Sequence, residues 1–169
     1  MSNLEPGPEL DQLVAEHVLK MIPCENWVPS PVSREELMKC CDHPIGTCSP
    51  KGMIYGYSTV PGWGKAILDW ILGQFKPKNS LEITLQYYEK MEPAPWLCEI
   101  QFYIPEKDRI HEVRLGVTLY GKTLEHVYCL MALRLAGAPL DLSGYESEYV
   151  VNPSSRKLAE IMKQVKNAV

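Results

Sequence analysis

The chain is short of several things, and each shortage excludes a class. No stretch of its 169 residues approaches the roughly 20 consecutive apolar residues that a membrane-spanning helix needs. There is no basic excess: 17 Lys and Arg stand against 21 Asp and Glu, a net charge of −4. Bulk binding of DNA or RNA needs a broad basic surface, so it is not expected. No apolar leader of the signal-peptide kind opens the sequence, so a cytoplasmic protein is expected. The six cysteines include no Cys-x-x-Cys pair and read as free thiols. There is no Gly-x-Ser-x-Gly, no phosphate-binding loop, no dinucleotide fingerprint and no internal repeat. The expectation is a chain that is not an enzyme and carries no cofactor.

What is present is material for a core. Hydrophobic residues make up 46% and charged residues 22%, which suits one folded domain over 1–169. Within it, residues 1–8 read as a flexible leader. Residues 23–56 read as an irregular insertion, and 140–169 as a C-terminal arm with a helix. Leu10, Leu13, Val14, His17, Val18 and Met21 recur at helical spacing up to Pro23, with His17 as a core-edge histidine. Ser33 and Glu36 fit a capping box and predict a short helix over 33–41. A turn-rich loop follows over 42–52.

The stretch 57–72, YSTVPGWGKAILDWIL, predicts a helix capped by Ser58 and Thr59, with Pro61 in its first turn. Trp63, Ala66, Ile67, Trp70 and Ile71 mark one broad apolar face, and Gly73 closes the helix. Period-two alternation then predicts strands over 81–89, 96–104 and 112–121, joined by short links into an antiparallel meander. One face of that sheet is apolar. The other carries Thr84, Gln101, Thr118 and tyrosines, and reads as half-covered. The helix predicted over 122–136 is apolar on nearly all sides and is expected to be buried. Residues 149–151 read as a short strand. The last helix starts at Asn152 and Pro153 and carries a stripe of Leu158, Ile161, Met162 and Val165. The expected fold is α+β: an antiparallel sheet of three to four strands covered by helices, a three-layer α/β/α-like sandwich.

Two groups of residues are candidates for chemistry. Cys40, Cys41, His43 and Cys48, with Cys24 upstream, are zinc-ligand types, but at poor spacing, and read as free thiols on a loop before they read as a metal site. The acids Asp69, Glu82, Glu99 and Glu125 are scattered. The binding candidates gather at two helix starts: Tyr57, Ser58, Thr59, Trp63 and Lys65 at one, Tyr120, Lys122, Thr123 and His126 at the other. Helix N-termini with hydroxyls and lysines suit phosphate, and neighbouring aromatics suit a base. The plain alternative is ordinary capping with core aromatics.

These same stretches resemble the phage ABA sandwich family, small proteins of phages and prophages. YSTVPGWGKAILDWI is similar to that family's Tyr-Ser-Thr helix. GKTLEHVYCLMALRLAG is similar to its second hallmark helix, through Thr123, Cys129, Ala132, Leu133 and Gly137. LDQLVAEHVLKMI is similar to its first helix. The resemblance covers about residues 9–137. It departs at Val60, where an acid is usual, and at Leu124 and Glu125, where Ala-Pro is usual. It implies a phage-type protein in a bacterial host, and no reaction. The function expected is a homo-oligomeric binding protein, in its most concrete form a counter-defence sponge for a nucleotide immune signal. The alternatives are a protein-interaction module and a zinc or thiol enzyme acting on nucleotides.

Overall fold

The computed structural model describes residues 4–24, 48–50, 56–74, 81–91, 93–106, 109–146 and 155–167. Its helices are α1 (Pro8–Leu13), α2 (Pro61–Gly73), α3 (Leu124–Leu135) and α4 (Ser155–Asn167), and its strands are β1 (Ile22–Cys24), β2 (Cys48–Pro50), β3 (Leu81–Tyr87), β4 (Trp96–Glu106) and β5 (Arg109–Gly121). The fold is α+β. Strands β3, β4 and β5 form an antiparallel sheet in that order, the meander read from the alternating pattern.

Helix α3 is the centre of the molecule. Every residue from His126 to Leu133 is buried, and Leu130, Met131 and Leu133 each contribute roughly 1.5–3 kcal/mol by leaving water. It packs on β4 and β5 on one side and on α2 and the N-terminal helix on the other. Helix α4 touches both α3 and β4. A helix on the far face of the sheet would be separated from α3 by the sheet itself, so α4 shares α3's face. Leu158, Ile161 and Met162 of α4 are buried, as their stripe predicts. Helix α3 stops where Gly137 takes a positive φ, with Ala138 N–H bonding Leu133 C=O and Gly137 N–H bonding Arg134 C=O.

Several boundaries differ from the sequence pattern. The N-terminal helix begins at Pro8 and gives way to a π-helical turn, Val14–Val18, which carries His17. Residues 4–7 are not a loose leader: Leu4 is buried in the core. The insertion is not wholly irregular, because Ile22–Cys24 and Cys48–Pro50 pair as short parallel strands, which places Cys48 in a strand and not a loop. The β4–β5 hairpin runs past 104, with Pro105 opposite Ile110. Strand β3 reaches only to the partner of Phe102. Among the described residues β4 is paired on one side alone beyond that point, a position where a proline is tolerated. The predicted helix over 33–41, the strand at 149–151 and the cap at Asn152 and Pro153 lie outside the described residues.

On α2 the apolar face is narrower than its pattern. Gly64, Ile67 and Ile71 are buried and Trp70 packs at the margin, while Trp63 and Ala66 face outward, Trp63 with 43% of its surface exposed. Gly64 explains the direction. A Cβ there would lie 2.5 Å from Glu125 Cγ, so the helices cross where α2 has no side chain, and that contact fixes which residues turn inward.

Candidate functional site

The three stretches singled out in the sequence meet in space. Ser58 is fully buried in the turn before α2. Its backbone N–H donates to Asp11 Oδ1 at 2.7 Å, and its Oγ accepts from Gly7 N–H at 2.9 Å. Its C=O accepts from Thr123 Oγ1 at 3.4 Å. Thr123 caps α3 by accepting His126 N–H at 3.1 Å. The His126 ring is bound on both sides. Lys122 N–H donates to Nδ1 at 3.1 Å, and Nε2 meets Leu4 C=O at 2.8 Å. A backbone N–H can only donate, so the proton of the neutral ring sits on Nε2 and is given to the carbonyl. Burial pulls the His126 pKa below its ordinary value, and burial raises that of Asp11 against the opposing bonds from Ser58.

This network ties the N-terminal segment, the Tyr57–Thr59 turn and the start of α3 together. It also uses up the groups expected to hold phosphate at the first helix start. Val60, not Ser58 or Thr59, is the N-cap of α2, and it makes no side-chain cap bond. Tyr57 is buried, with its hydroxyl 3.4 Å from Met21 Sδ and its ring edge-on to Trp63. Lys65 is exposed and pairs with Asp69 one turn along the helix. Thr59 is exposed in the turn.

The second helix start opens on a cavity of about 520 Å³, a volume within the usual range of small-molecule sites. Tyr120, Lys122 and His126 line it together, from the end of β5 and the first turns of α3. Asp141, Ser143 and Tyr145 line it too, with Glu5, Pro93 and Ala94. Asp141 Oδ1 accepts from both Ser143 N–H (3.1 Å) and Ser143 Oγ (2.6 Å), and these bonds hold its carboxyl below the usual pKa. Tyr145 packs edge-on against His126, their ring centres 5.6 Å apart, and burial raises its hydroxyl's pKa. Lys122 Nζ pairs with Glu5 at 2.5 Å. The lining thus offers two tyrosines, a hydroxyl, two carboxylates and one ammonium. It is acceptor-rich, and its one lysine is already met by an acid.

Tyr120, Lys122 and His126 are therefore brought together, with Thr123 beneath them as a cap. Tyr57, Ser58, Thr59, Trp63 and Lys65 do not line the cavity. Sequence reasoning missed Glu5, Asp11, Asp141, Ser143 and Tyr145. Asp11 had a signal, an acid one place after Leu10 on the buried face of a helix. The segment DLSGY, at 141–145, had another: a short Asp-x-Ser turn that ends in an aromatic.

The thiol and metal candidates fare differently. Cys98 and Cys129 are buried core residues, with the Cys98 thiol pushed up to about 12 by burial and that of Cys129 raised as well. Such thiols are not nucleophiles near neutral pH. Cys40, Cys41 and His43 lie outside the described residues, as does the side chain of Cys48. Among the described residues no group of three or more His, Cys, Asp or Glu could hold a metal ion, and no helix is long and apolar enough to cross a membrane. No protein-family model, curated protein or solved structure matches the chain.

Proposed function

We propose that the chain is a non-enzymatic, homo-oligomeric binding protein that sequesters a small nucleotide in the cavity beside α3. The observation that carries this reading is the convergence of Tyr120 and Tyr145 with Lys122, Ser143 and Asp141 around about 520 Å³. Each part has a partner on a nucleotide. A base stacks on a tyrosine face. Ribose hydroxyls donate to the Asp141 and Glu5 carboxylates. A phosphate competes with Glu5 for the Lys122 ammonium. With His126 committed on both nitrogens, the cavity has no free general base of that kind, which favours binding over turnover.

The counter-defence form of the proposal, a sponge for a host nucleotide signal in the bacterial cytoplasm, rests on the resemblance to phage ABA sandwich proteins. It is tested by isothermal titration with cyclic nucleotides, cyclic ADP-ribose isomers and their parent nucleosides. Binding that weakens at least tenfold in Tyr120→Ala, about 1.4 kcal/mol, is the expected result. Silence across the whole panel sinks the nucleotide reading. A second reading, a module that docks on a protein, draws on the outward-facing Val60 and Trp63 of α2. Capture of a host partner that is lost in Trp63→Ala would support it.

A further inference from the structure

Strand β3 lies at the edge of the sheet, and among the described residues it pairs only with β4. Natural edges are usually protected by proline, lysine, a bulge or a cover. Here the sequence is LEITLQY, with Glu82 as its one charge. The register with β4 is unbroken from Leu81 to Tyr87. Of the large hydrophobic side chains that remain exposed, Leu85, Tyr87, Tyr88 and Met91 cluster on β3 and the turn after it, with Tyr87 at 55% and Leu85 at 38%. Helix α4 therefore does not roof this edge.

The hydrogen-bond phase of the edge can be read from one bond. Tyr88 N–H donates to Pro95 C=O at 2.8 Å, in the same register as the ladder. In an antiparallel pair, opposed residues alternate between bonded and non-bonded pairs. Glu82, Thr84 and Gln86 thus turn their backbone groups to β4. Leu81, Ile83, Leu85 and Tyr87 turn theirs away from β4, to the side that no described residue occupies.

We propose that β3 pairs with β3 of a second copy of this chain, antiparallel about a two-fold axis through Thr84, to make one continuous six-stranded sheet. In that register Ile83 faces Leu85 of the other copy and Leu81 faces Tyr87. Every outward donor and acceptor of these residues then meets its complement. On the same-side pairing, apolar meets apolar. On the other face Glu82 lies opposite Gln86, a hydrogen-bonding pair without like charges, and Thr84 lies opposite Thr84 in the closer, non-bonded spacing. No other residue-centred register uses the full length of the strand. This strand-to-strand dimer is independent of the ligand reading, since neither β3 nor its edge lines the cavity.

Sedimentation of the full chain tests it. The native chain is expected at twice 19.2 kDa. Thr84→Lys and Thr84→Glu each set like charges against each other at the axis and are expected as folded monomers, while an equimolar mixture of the two regains the dimer. Where Lys at 84 disturbs folding, exposed Gln86 gives a gentler pair. Gln86→Glu faces Glu82 of the other copy and weakens the dimer a few-fold, and Gln86→Lys tightens it by a similar factor. A native chain that stays monomeric at every concentration overturns the proposal. So does a dimer that keeps its dissociation constant in all these variants, or one that Gln86→Glu and Gln86→Lys shift in the same direction.

Discussion

The two helix starts of this protein look alike in sequence and behave differently in the fold. Each has a tyrosine, a hydroxyl residue and a lysine within a few positions: Tyr57, Thr59 and Lys65 before and in α2, Tyr120, Thr123 and Lys122 before α3. At the first, Asp11 and Gly7 close on Ser58 and the tyrosine goes into the core. At the second, the cap is satisfied internally by Thr123 and His126, and the tyrosine and lysine line a cavity. The lesson is that residue types alone do not make an anion site. What decides is whether a distant segment reaches the free backbone groups first.

The comparison breaks most visibly at His126. His126→Ala leaves the Lys122 N–H and the Leu4 C=O without their ring partners and opens a void. The expected loss is about 3–5 kcal/mol, or roughly 6–20 °C in Tm by calorimetry. Asp11→Ala is expected to cost about 2 kcal/mol, because it strands the buried Ser58 N–H. Urea denaturation reads that loss, and ligand affinity should be unchanged in the folded fraction. Tyr120→Ala should show the opposite profile, a tenfold weaker titration with a nearly unaltered Tm. A loss of binding in the Asp11 variant with Tyr120 inert would reverse the assignment of the two helix starts.

A subtler test uses pH. The folded-state pKa of His126 is depressed, so the unfolded chain binds the proton more readily. Its contribution to stability is complete above about pH 6.5 and is lost as pH falls from there toward the lowered value. Asp11 works the other way: its raised pKa favours the folded state as pH drops toward 3.8. Urea midpoints should therefore fall between pH 7 and the His126 transition, and that slope should vanish in His126→Gln. The smallest effect is expected at Thr59→Ala and Lys65→Ala. Both residues are exposed and apart from the cavity, so Tm and titration should match the native chain.

Much of the fold was legible because its signals are local. The three strands announce themselves by period two, and α3 by apolar residues on every side. The short β1–β2 pair was not legible, because three-residue strands that meet across two dozen positions leave no periodic trace. The outward turn of Trp63 was hidden for a related reason: helical spacing gives a broad face, and only the crossing at Gly64 chooses its centre. The cavity was half legible. Tyr120, Lys122 and His126 are neighbours in sequence, whereas Glu5, Ala94 and Tyr145 arrive from three other parts of the chain.

The bond between Leu4 and His126 spans 122 positions, and that separation has a consequence for how the protein is made. Leu4 is made well before α3, and its carbonyl has no ring to receive a proton from until α3 begins. At 5–20 residues per second the wait is at least roughly 6–24 s. Throughout it Leu4 lacks the core that buries it in the fold, and Glu5 has no Lys122 to pair with. The cavity is therefore completed only after the segment around Leu4 and the start of α3, far apart in the chain, have both been made and joined.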